Sequence, residues 1–559
     1  MKQDTKNLYL AIILAICVIY VTNTIFKPKT VETVSNKATI EAPTNVEVSE
    51  AAIAEEVKVE EIIERDVALN QNPRIEIDTK SLKGSIRLQG ARLDDLAMKR
   101  HTKELDKASG AQTLLSPAKT ETPYFIEMGW VSTDKKIKTP NSKTIWKTKS
   151  RTLTENSPVK LTWDNGQGLK FVRTISVDEN YMFKVNSFVE NNSNKKVTIH
   201  PYGLISRFHD DSQKTRNILH QGSIGVLGAE LHEDTFSDIQ DEKRFNYDSK
   251  GGWIGITDKY WLTALILDKN TSSKVKVSAI DENKYQTDYL ENAITLEPNQ
   301  TASVNNMVFA GAKEIKLLDK YKDELNIEKF DLAIDFGWYY FLTKPFFYIL
   351  DFLYNFLGNM GWAIILFAAL LRLAMFPVAN KSYTSMSKMK IVQPKIQALQ
   401  TKYGDDKVKL QQEMMALYKK EKINPAAGCL PMLIQIPVFF SLYKVLYISI
   451  EIRHAPFIGW IKDLGAPDPM TISYMTNIPL PGFLDIGVWP IIMGLTMWAQ
   501  QKLNPAPANK DQANVMRFMP LMFTFMLGNF ASGLVIYWTL SNLISIIQQK
   551  VIMNKLGAK

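Results

Sequence analysis

Apolar positions follow two regimes along this chain. From about Pro73 to residue 330 they alternate with polar residues or gather in short runs. From Met360 onward they come in long blocks. The first regime predicts strands: Ile75–Asp78, Leu169–Val177, Tyr181–Val189 and Trp261–Asp268, punctuated by Asn-Gly, Asn-Asn, Asp-Asn and Gly-Gly pairs. Repeated short strands with turn signals predict a β-sandwich over residues 72–330, and Asp319–Asn326 predicts a helix leading out of it. The second regime predicts membrane helices at Met360–Phe376, Gly428–Ile450, Phe483–Ala499, Phe518–Phe530 and Gly533–Ile547. Phe518–Phe530 is short for a span unless its helix starts earlier, near Gln512. Leu8–Phe26, without a charge, is long enough to cross roughly 30 Å of hydrocarbon at about 1.5 Å per residue. It has no A-x-A cleavage site, so residues 1–27 read as an uncleaved anchor.

The segments between these blocks have their own character. Residues 28–71 are rich in Val, Thr, Glu, Ala and Ser without aromatics, which predicts a flexible acidic linker. Residues 331–358 are dense in aromatics, as in Phe336-Gly-Trp-Tyr-Tyr-Phe-Leu342, and are interrupted by Lys344 and Asp351. That composition predicts an amphipathic helix in the outer headgroup layer. Residues 380–424 place Met389, Val392, Ile396 and Leu399, then Leu410, Met414 and Leu417, at helical spacing on either side of Gly404. A helical hairpin, Ser385–Tyr403 against Asp405–Lys422, follows. Its methionines Met386, Met389, Met414 and Met415 suit either packing between the two helices or an adaptable apolar surface.

Charge orients the spans. The formal net charge is +9 with a pI near 9, but acids dominate Val31–Asp66 and lysines dominate Val378–Asn424. Positive charge lying between hydrophobic blocks fits the positive-inside bias rather than specific nucleic-acid binding. The hairpin is then cytoplasmic, the β-domain extracytoplasmic, and both termini cytoplasmic. The predicted fold class is a multi-pass α-helical membrane protein of six transmembrane helices with a large β-sandwich domain outside and a helical hairpin inside. Cys17 and Cys429, each in an apolar run, cannot frame a disulfide scaffold or a metal site. His209-Asp210-Asp211 is the densest ionisable cluster containing a histidine, and in a β-domain such a cluster is usually a loop or strand end. No phosphate-binding loop or nucleophile constellation stands out, so no cofactor or enzymatic chemistry is expected.

The most informative residue is Arg372, which interrupts the apolar run Trp362–Phe376. An arginine keeps its charge, and at a membrane centre it costs about 2.5–3.5 kcal/mol on insertion scales. None of the other hydrophobic blocks holds an acid in its interior; Asp485 sits only at an edge. Arg372 is therefore expected to face water within the membrane domain, some 7 Å of helix before Pro377 and so near the inner face. Gln435, between Pro431 and Pro437, is the second polar group expected at depth. Thr496, Thr524, Ser541 and Ser545 are candidate hydroxyls, each equally compatible with back-bonding to its own helix. Lys444, seven residues from Glu451, is expected to snorkel toward the outer interface.

These residues resemble the YidC/Oxa/Alb family of membrane-protein insertases. The resemblance runs through Leu371-Arg372-Leu-Ala-Met-Phe-Pro377, Tyr383-Thr-Ser-Met-Ser-Lys-Met389, Gln393-Pro-Lys-Ile-Gln397, Gly428-Cys-Leu-Pro431 with Gln435, Pro456-Phe457, Asp463-Leu464 and Ser532-Gly-Leu-Val535 with Ser541-Asn-Leu543. It is specific over Gly337–Met553 and looser over the β-domain, where an anchor plus β-domain resembles the Gram-negative form. The resemblance implies that residues 359–559 form a five-helix insertase core in the inner membrane, with the β-domain periplasmic. It implies a hydrophilic groove open to cytoplasm and lipid, with Arg372 as its arginine. Family members often carry Thr one turn before that arginine and Tyr in the last span, both implicated in substrate contact. Ala368 and Trp538 stand at those positions here.

The implied function is insertion and chaperoning of nascent hydrophobic segments and short polar tails, alone or with the Sec translocon. Nascent membrane proteins and the lipid bilayer are the implied partners, with the ribosome another; no cofactor is implied. A secondary transporter using Arg372 as a substrate or ion site is the alternative. Against it, the five C-terminal spans show no internal repeat and no matched discontinuous helices. An anchored periplasmic sugar-processing enzyme would leave those five spans unexplained.

Overall fold

A computed structural model of the chain describes residues 62–210, 219–403, 406–424, 430–482, 484–504 and 510–556. The predicted anchor Leu8–Phe26, the linker up to residue 61, both cysteines and Asp211 lie outside these residues. The end of the predicted linker is ordered, which corrects the expectation of a free tether through residue 71. Helix α1 (Arg65–Asn70) buries Ala68, Arg65 pairs with Asp95, and the Ile63 N–H donates to the Lys119 carbonyl at 3.0 Å.

Among the described residues, two sheets of eleven and nine strands form the β-domain. Ile75, Ile126 and Ile205 from the larger sheet meet Phe171, Val185 and Phe309 from the smaller in one core, the sandwich expected from alternation. Leu169–Val177 is a strand with the predicted bounds, turning Leu169, Phe171, Ile175 and Val177 inward. It pairs antiparallel with Met182–Asn191, Phe183 lying opposite Val177, and that strand pairs in turn with Thr301–Ala312. Trp261–Ile266 stops two residues short of the predicted Asp268. The Gly251-Gly252 turn needs its second glycine: φ is +88° there, and a Cβ would fall 2.0 Å from the Val226 carbonyl oxygen. His209 stacks on Phe236 with ring centroids 4.1 Å apart, and helix α2 (Phe236–Glu242) holds that phenylalanine in place.

The helix predicted at Asp319–Asn326 is α3 (Ile315–Glu324), starting four residues earlier because Ile315, Leu317 and Leu318 bury its first turn. The aromatic segment forms α4 (Tyr340–Leu357), with Thr343, Phe346, Phe347, Leu350 and Leu353 turned inward. The charges that interrupt its pattern have a structural use. Lys344 reaches Asp319 at 2.7 Å and Asp331 at 2.6 Å, and Asp351 reaches Lys316 at 2.5 Å. Phe341, Phe352 and Phe356 remain exposed on the same helix.

The helical core follows. Helix α5 (Met360–Ala374) ends two residues before the predicted Phe376, and the chain turns by 67° into α6 (Phe376–Tyr403). The first hairpin helix thus starts at the turn rather than at Ser385. Pro377 lies in its first turn, where a missing N–H costs nothing. Helix α7 (Lys407–Lys420) packs back on α6 through Val392, Ile396, Tyr418 and Ile423, with Met389 and Met414 against them, and Lys395 pairs with Glu421 at 2.7 Å. Packing thus employs those two methionines; Met386 instead packs with Ala379, Tyr383 and Ile552, while Met415 is exposed.

Then come α8 (Leu430–Ile448), α9 (Ile472–Thr476), α10 (Val488–Leu503), α11 (Lys510–Leu527) and α12 (Ser532–Lys555). Helix α10 starts five residues after the predicted Phe483, beyond the Pro481-Gly482 break. Helix α11 begins near the anticipated Gln512, and α12 runs eight residues past Ile547. Among the described residues, no single helix is long and apolar enough to cross a membrane, although α5 and α6 pass that test together as a bent pair. The polar stripe along α12 (Ser541, Asn542, Ser545 and Gln549, all buried) shows why hydropathy is diluted.

Sheet domain and helices meet in a polar junction. Arg453 donates to the Thr102 and Lys103 carbonyls, both at 2.9 Å, and stacks over Trp261; Lys259 lies 3.7 Å above the Tyr447 ring. Lys444 does not merely snorkel: it forms an ion pair with Asp335 at 2.5 Å, because the chain before α4 brings that acid to it. Glu451 accepts the Ile315 N–H at 3.2 Å, at the N-terminus of α3, while its other carboxylate oxygen is sealed from solvent. Burial pushes this carboxyl up to about 7, with the Glu314 and Asp351 charges adding to the effect. A raised carboxyl contributes stability below its unfolded value and loses it as pH rises through the folded one, a swing of up to about 3 kcal/mol. The thermal midpoint should therefore fall from about pH 5 to about pH 8. Glu451→Gln, which keeps an acceptor for Ile315, should flatten that dependence and stabilise the protein at the alkaline end, as followed by unfolding in detergent across pH.

Candidate functional site

Arg372 occupies the last turn of α5, and its helix face packs on α12. Ala368, one turn earlier, and Ile364, two turns earlier, are fully buried. The Arg372 side chain is itself buried, and its Nε donates to the Ser541 hydroxyl at 2.7 Å. Among the described residues no carboxylate pairs with this guanidinium. A charge that costs kilocalories to bury is thus met by a neutral acceptor.

One turn before Ser541 on α12, the hydroxyl of Tyr537 accepts from Gln435 Nε2 on α8 at 3.1 Å. The Gln435 carbonyl oxygen is buried with no partner among the described residues. Three helices therefore contribute to one polar cluster: α5 an arginine, α8 an amide, α12 a phenol and a hydroxyl. Such a cluster presents both donors and a free acceptor inside the bundle, which can receive a carboxylate, a backbone group or water in place of bulk hydration. A turn further along, Ser545 is back-bonded to the Ser541 carbonyl at 2.8 Å.

The other sequence-predicted residues are placed elsewhere. Thr496 on α10 accepts from Asn542 at 3.2 Å, on a different face of α12, and back-bonds to the Met493 carbonyl. Thr524 back-bonds to the Pro520 carbonyl at 2.9 Å where α11 passes α10. Trp538 lies in an aromatic group, with Phe439 at 4.7 Å and Phe523 at 5.6 Å between ring centroids, beside Met493 and Leu527. Adjacent residues on a helix point about 100° apart. So Trp538 joins the apolar packing while Tyr537 turns to Gln435. The sequence reading does not single out Tyr537 or Asn542, whose partners Gln435 and Thr496 reach them only through helix packing.

Close approach of α10 and α11 rests on Gly494. A Cβ there would lie 2.1 Å from the Thr524 hydroxyl, itself fixed by its bond to Pro520. Gly494→Val should cost about 1–3 kcal/mol by overpacking. A lower thermal midpoint in detergent would show it, and adding Thr524→Ala should recover part of the loss by emptying the contact.

The family model described as the YidC periplasmic domain matches residues 74–349, and that described as 60Kd inner membrane protein matches residues 352–559. The membrane protein insertase YidC of Rickettsia bellii (strain OSU 85-389) is 50% identical over 494 residues, covering 87% of this chain and 88% of its own. This chain belongs to the YidC family. The YidC of Rickettsia rickettsii (strain Iowa) is likewise 50% identical over 487 residues, covering 86% of this chain and 87% of its own. A solved active YidC insertase with its first transmembrane domain resolved aligns over 86% of this chain and 92% of its own, at 19% identity and a TM-score of 0.37. Within the YidC family frame, this chain combines a sheet-rich periplasmic domain with a helical core in the inner membrane. Its polar cluster lies wholly in the part matched by the 60Kd inner membrane protein model.

Proposed function

We propose that the protein is a membrane protein insertase and chaperone whose working site is the cluster around Arg372. The observation that carries this reading is a buried guanidinium answered by a serine instead of an acid. A permanently paired arginine is a strut; one held by a hydroxyl keeps its charge available to an incoming polar group. In this reading six helices span the inner membrane, five of them form the core, both termini lie in the cytoplasm, and α4 rests in the outer headgroup layer. A nascent chain, delivered by the ribosome or the Sec translocon, places a short polar tail against Arg372, Gln435 and Tyr537. Its hydrophobic segment then partitions into lipid, driven by about 25 cal/mol per Å² of apolar surface. Each acidic charge moved outward gains about 2.3 kcal/mol per 100 mV of membrane potential.

Photocrosslinkers at Gln435 and Trp538, tested against a stalled nascent membrane protein, check this. Adducts from Gln435 to the polar tail and from Trp538 to the hydrophobic segment are expected. A stalled chain that crosslinks to neither would refute the assignment.

A further inference from the structure

Between Asp468 and Asp485 the chain runs from Pro469 to Leu484 without a charge. This segment carries the short helix α9 and leads directly into α10. Three of its outward side chains are large and apolar: Tyr474 is 72% exposed, Met475 51% and Ile478 59%, with the uncharged Thr476 and Asn477 exposed between them. Its backbone, by contrast, is closed on itself. The N–H groups of Ile472 and Val488 bond across the stem to Ile486 and Met470, both at 3.1 Å. Those of Ser473, Tyr474, Met475 and Leu480 find acceptors in Asp485, Thr471 and Ser473. Of the two acids at the base, Asp485 accepts the Ser473 N–H at 2.8 Å, and the buried Asp468 accepts the Met470 and Trp489 N–H groups at 3.0 and 2.8 Å. A loop built for water has no need to satisfy its amides internally while exposing its hydrocarbon. A segment that meets lipid needs both.

We propose that the loop between Met470 and Val488 is a membrane-contact element that seats Tyr474, Met475 and Ile478 in the outer leaflet. Two features favour lipid over a protein partner. Helix α10, which follows directly in sequence, exposes Ile492, Leu495 and Trp498 as well. A protein interface ordinarily carries a polar rim around its apolar centre, and the exposed part of this run offers only the uncharged Thr476 and Asn477 for one. Tyrosine at the tip suits the headgroup level, where one end of the ring is wet. The proposal rests on the reading that α10 crosses the membrane.

The test uses the full chain with Cys17→Ser and Cys429→Ser, reconstituted in vesicles of phosphatidylethanolamine and phosphatidylglycerol. Tyr474→Cys and Ile478→Cys are each spin-labelled, with Leu495→Cys as a reference on α10 and the exposed Thr301→Cys as a reference on the β-domain. Collision with oxygen reports lipid, and collision with a water-soluble nickel chelate reports water. At 474 and 478 oxygen should exceed nickel, reversing the ratio found at 301 and placing the tip about 5–10 Å into the headgroup and acyl boundary. A nickel-dominated signal at both sites would overturn the proposal, as would labels shielded from both reagents, which would mean a protein surface covers the loop. If Leu495 itself reads as aqueous, the transmembrane reading of α10 fails, and the loop assignment falls with it for that separate reason.

Discussion

Arg372→Ala should reduce to background the protease protection of a short acidic tail inserted into proteoliposomes. The bundle itself should survive. The substitution removes one buried charge and one hydrogen bond to Ser541, and the freed hydroxyl can turn back to a carbonyl of its own helix, as the Ser545 hydroxyl already does. What is lost is the counter-charge for a carboxylate crossing a low-dielectric region, where an unpaired ion is far more costly than in water. Arg372→Lys should give an intermediate result. It keeps the charge, yet a compact ammonium lacks the guanidinium geometry that reaches Ser541 while leaving further donors free. Substrates whose tails carry no acid should depend on Arg372 least. Wild-type protection of an acidic tail by the alanine variant would remove Arg372 from the mechanism.

The largest stability loss is expected from Glu127→Ala in the periplasmic domain. Glu127 Oε2 takes two bonds from Arg92, from Nε at 2.9 Å and Nη2 at 2.5 Å, while Tyr202 donates to Oε1 at 2.8 Å. All three residues are buried, and Arg92 lies 4.0 Å above the Phe125 ring. Burial together with the Glu127 charge holds the Tyr202 phenol well above its ordinary range, so it stays a donor at every physiological pH. Removing the carboxylate takes the ion pair from the buried guanidinium and the acceptor from the buried phenol. Breaking such a pair from one side costs about 3–5 kcal/mol, whereas replacing both partners by apolar residues is often nearly neutral. Glu127→Ala should therefore sharply lower the urea midpoint of the β-domain, read by limited proteolysis, and Glu127→Leu with Arg92→Met should restore most of it. Equal midpoints for the wild type and the single variant would show that the pair contributes nothing.

How much of this was legible in the sequence depends on the range of the interaction. Leu169–Val177 was readable to the residue because alternation and its flanking turns are local. The hairpin helices and the packing of Met389 and Met414 between them followed from helical spacing for the same reason. The partners of Lys344 and Asp351 were not readable, since Asp319, Asp331 and Lys316 come to them only through tertiary packing. Read in isolation, both charges looked like interruptions of an apolar helix. The 67° turn after α5 was equally hidden: Pro377 hinted at a boundary, but no spacing rule supplies an angle. In the candidate site, Arg372 stood out because a charge in an apolar block needs an explanation. Tyr537 did not, because a tyrosine in a membrane helix is ordinary and only the facing Gln435 gives it a role.

The polar junction has a bearing on protein engineering. Arg453 reads main-chain carbonyls of the sheet domain and Glu451 a main-chain N–H, but Lys444 and Lys344 depend on particular side chains contributed by the segment from 314 to 335. A chimera that grafts a foreign periplasmic half onto this transmembrane half would carry mismatched joints. To work, the transplant would have to stop short of residue 314 and leave this chain's own 314–335 segment and 450–454 turn together, as one module.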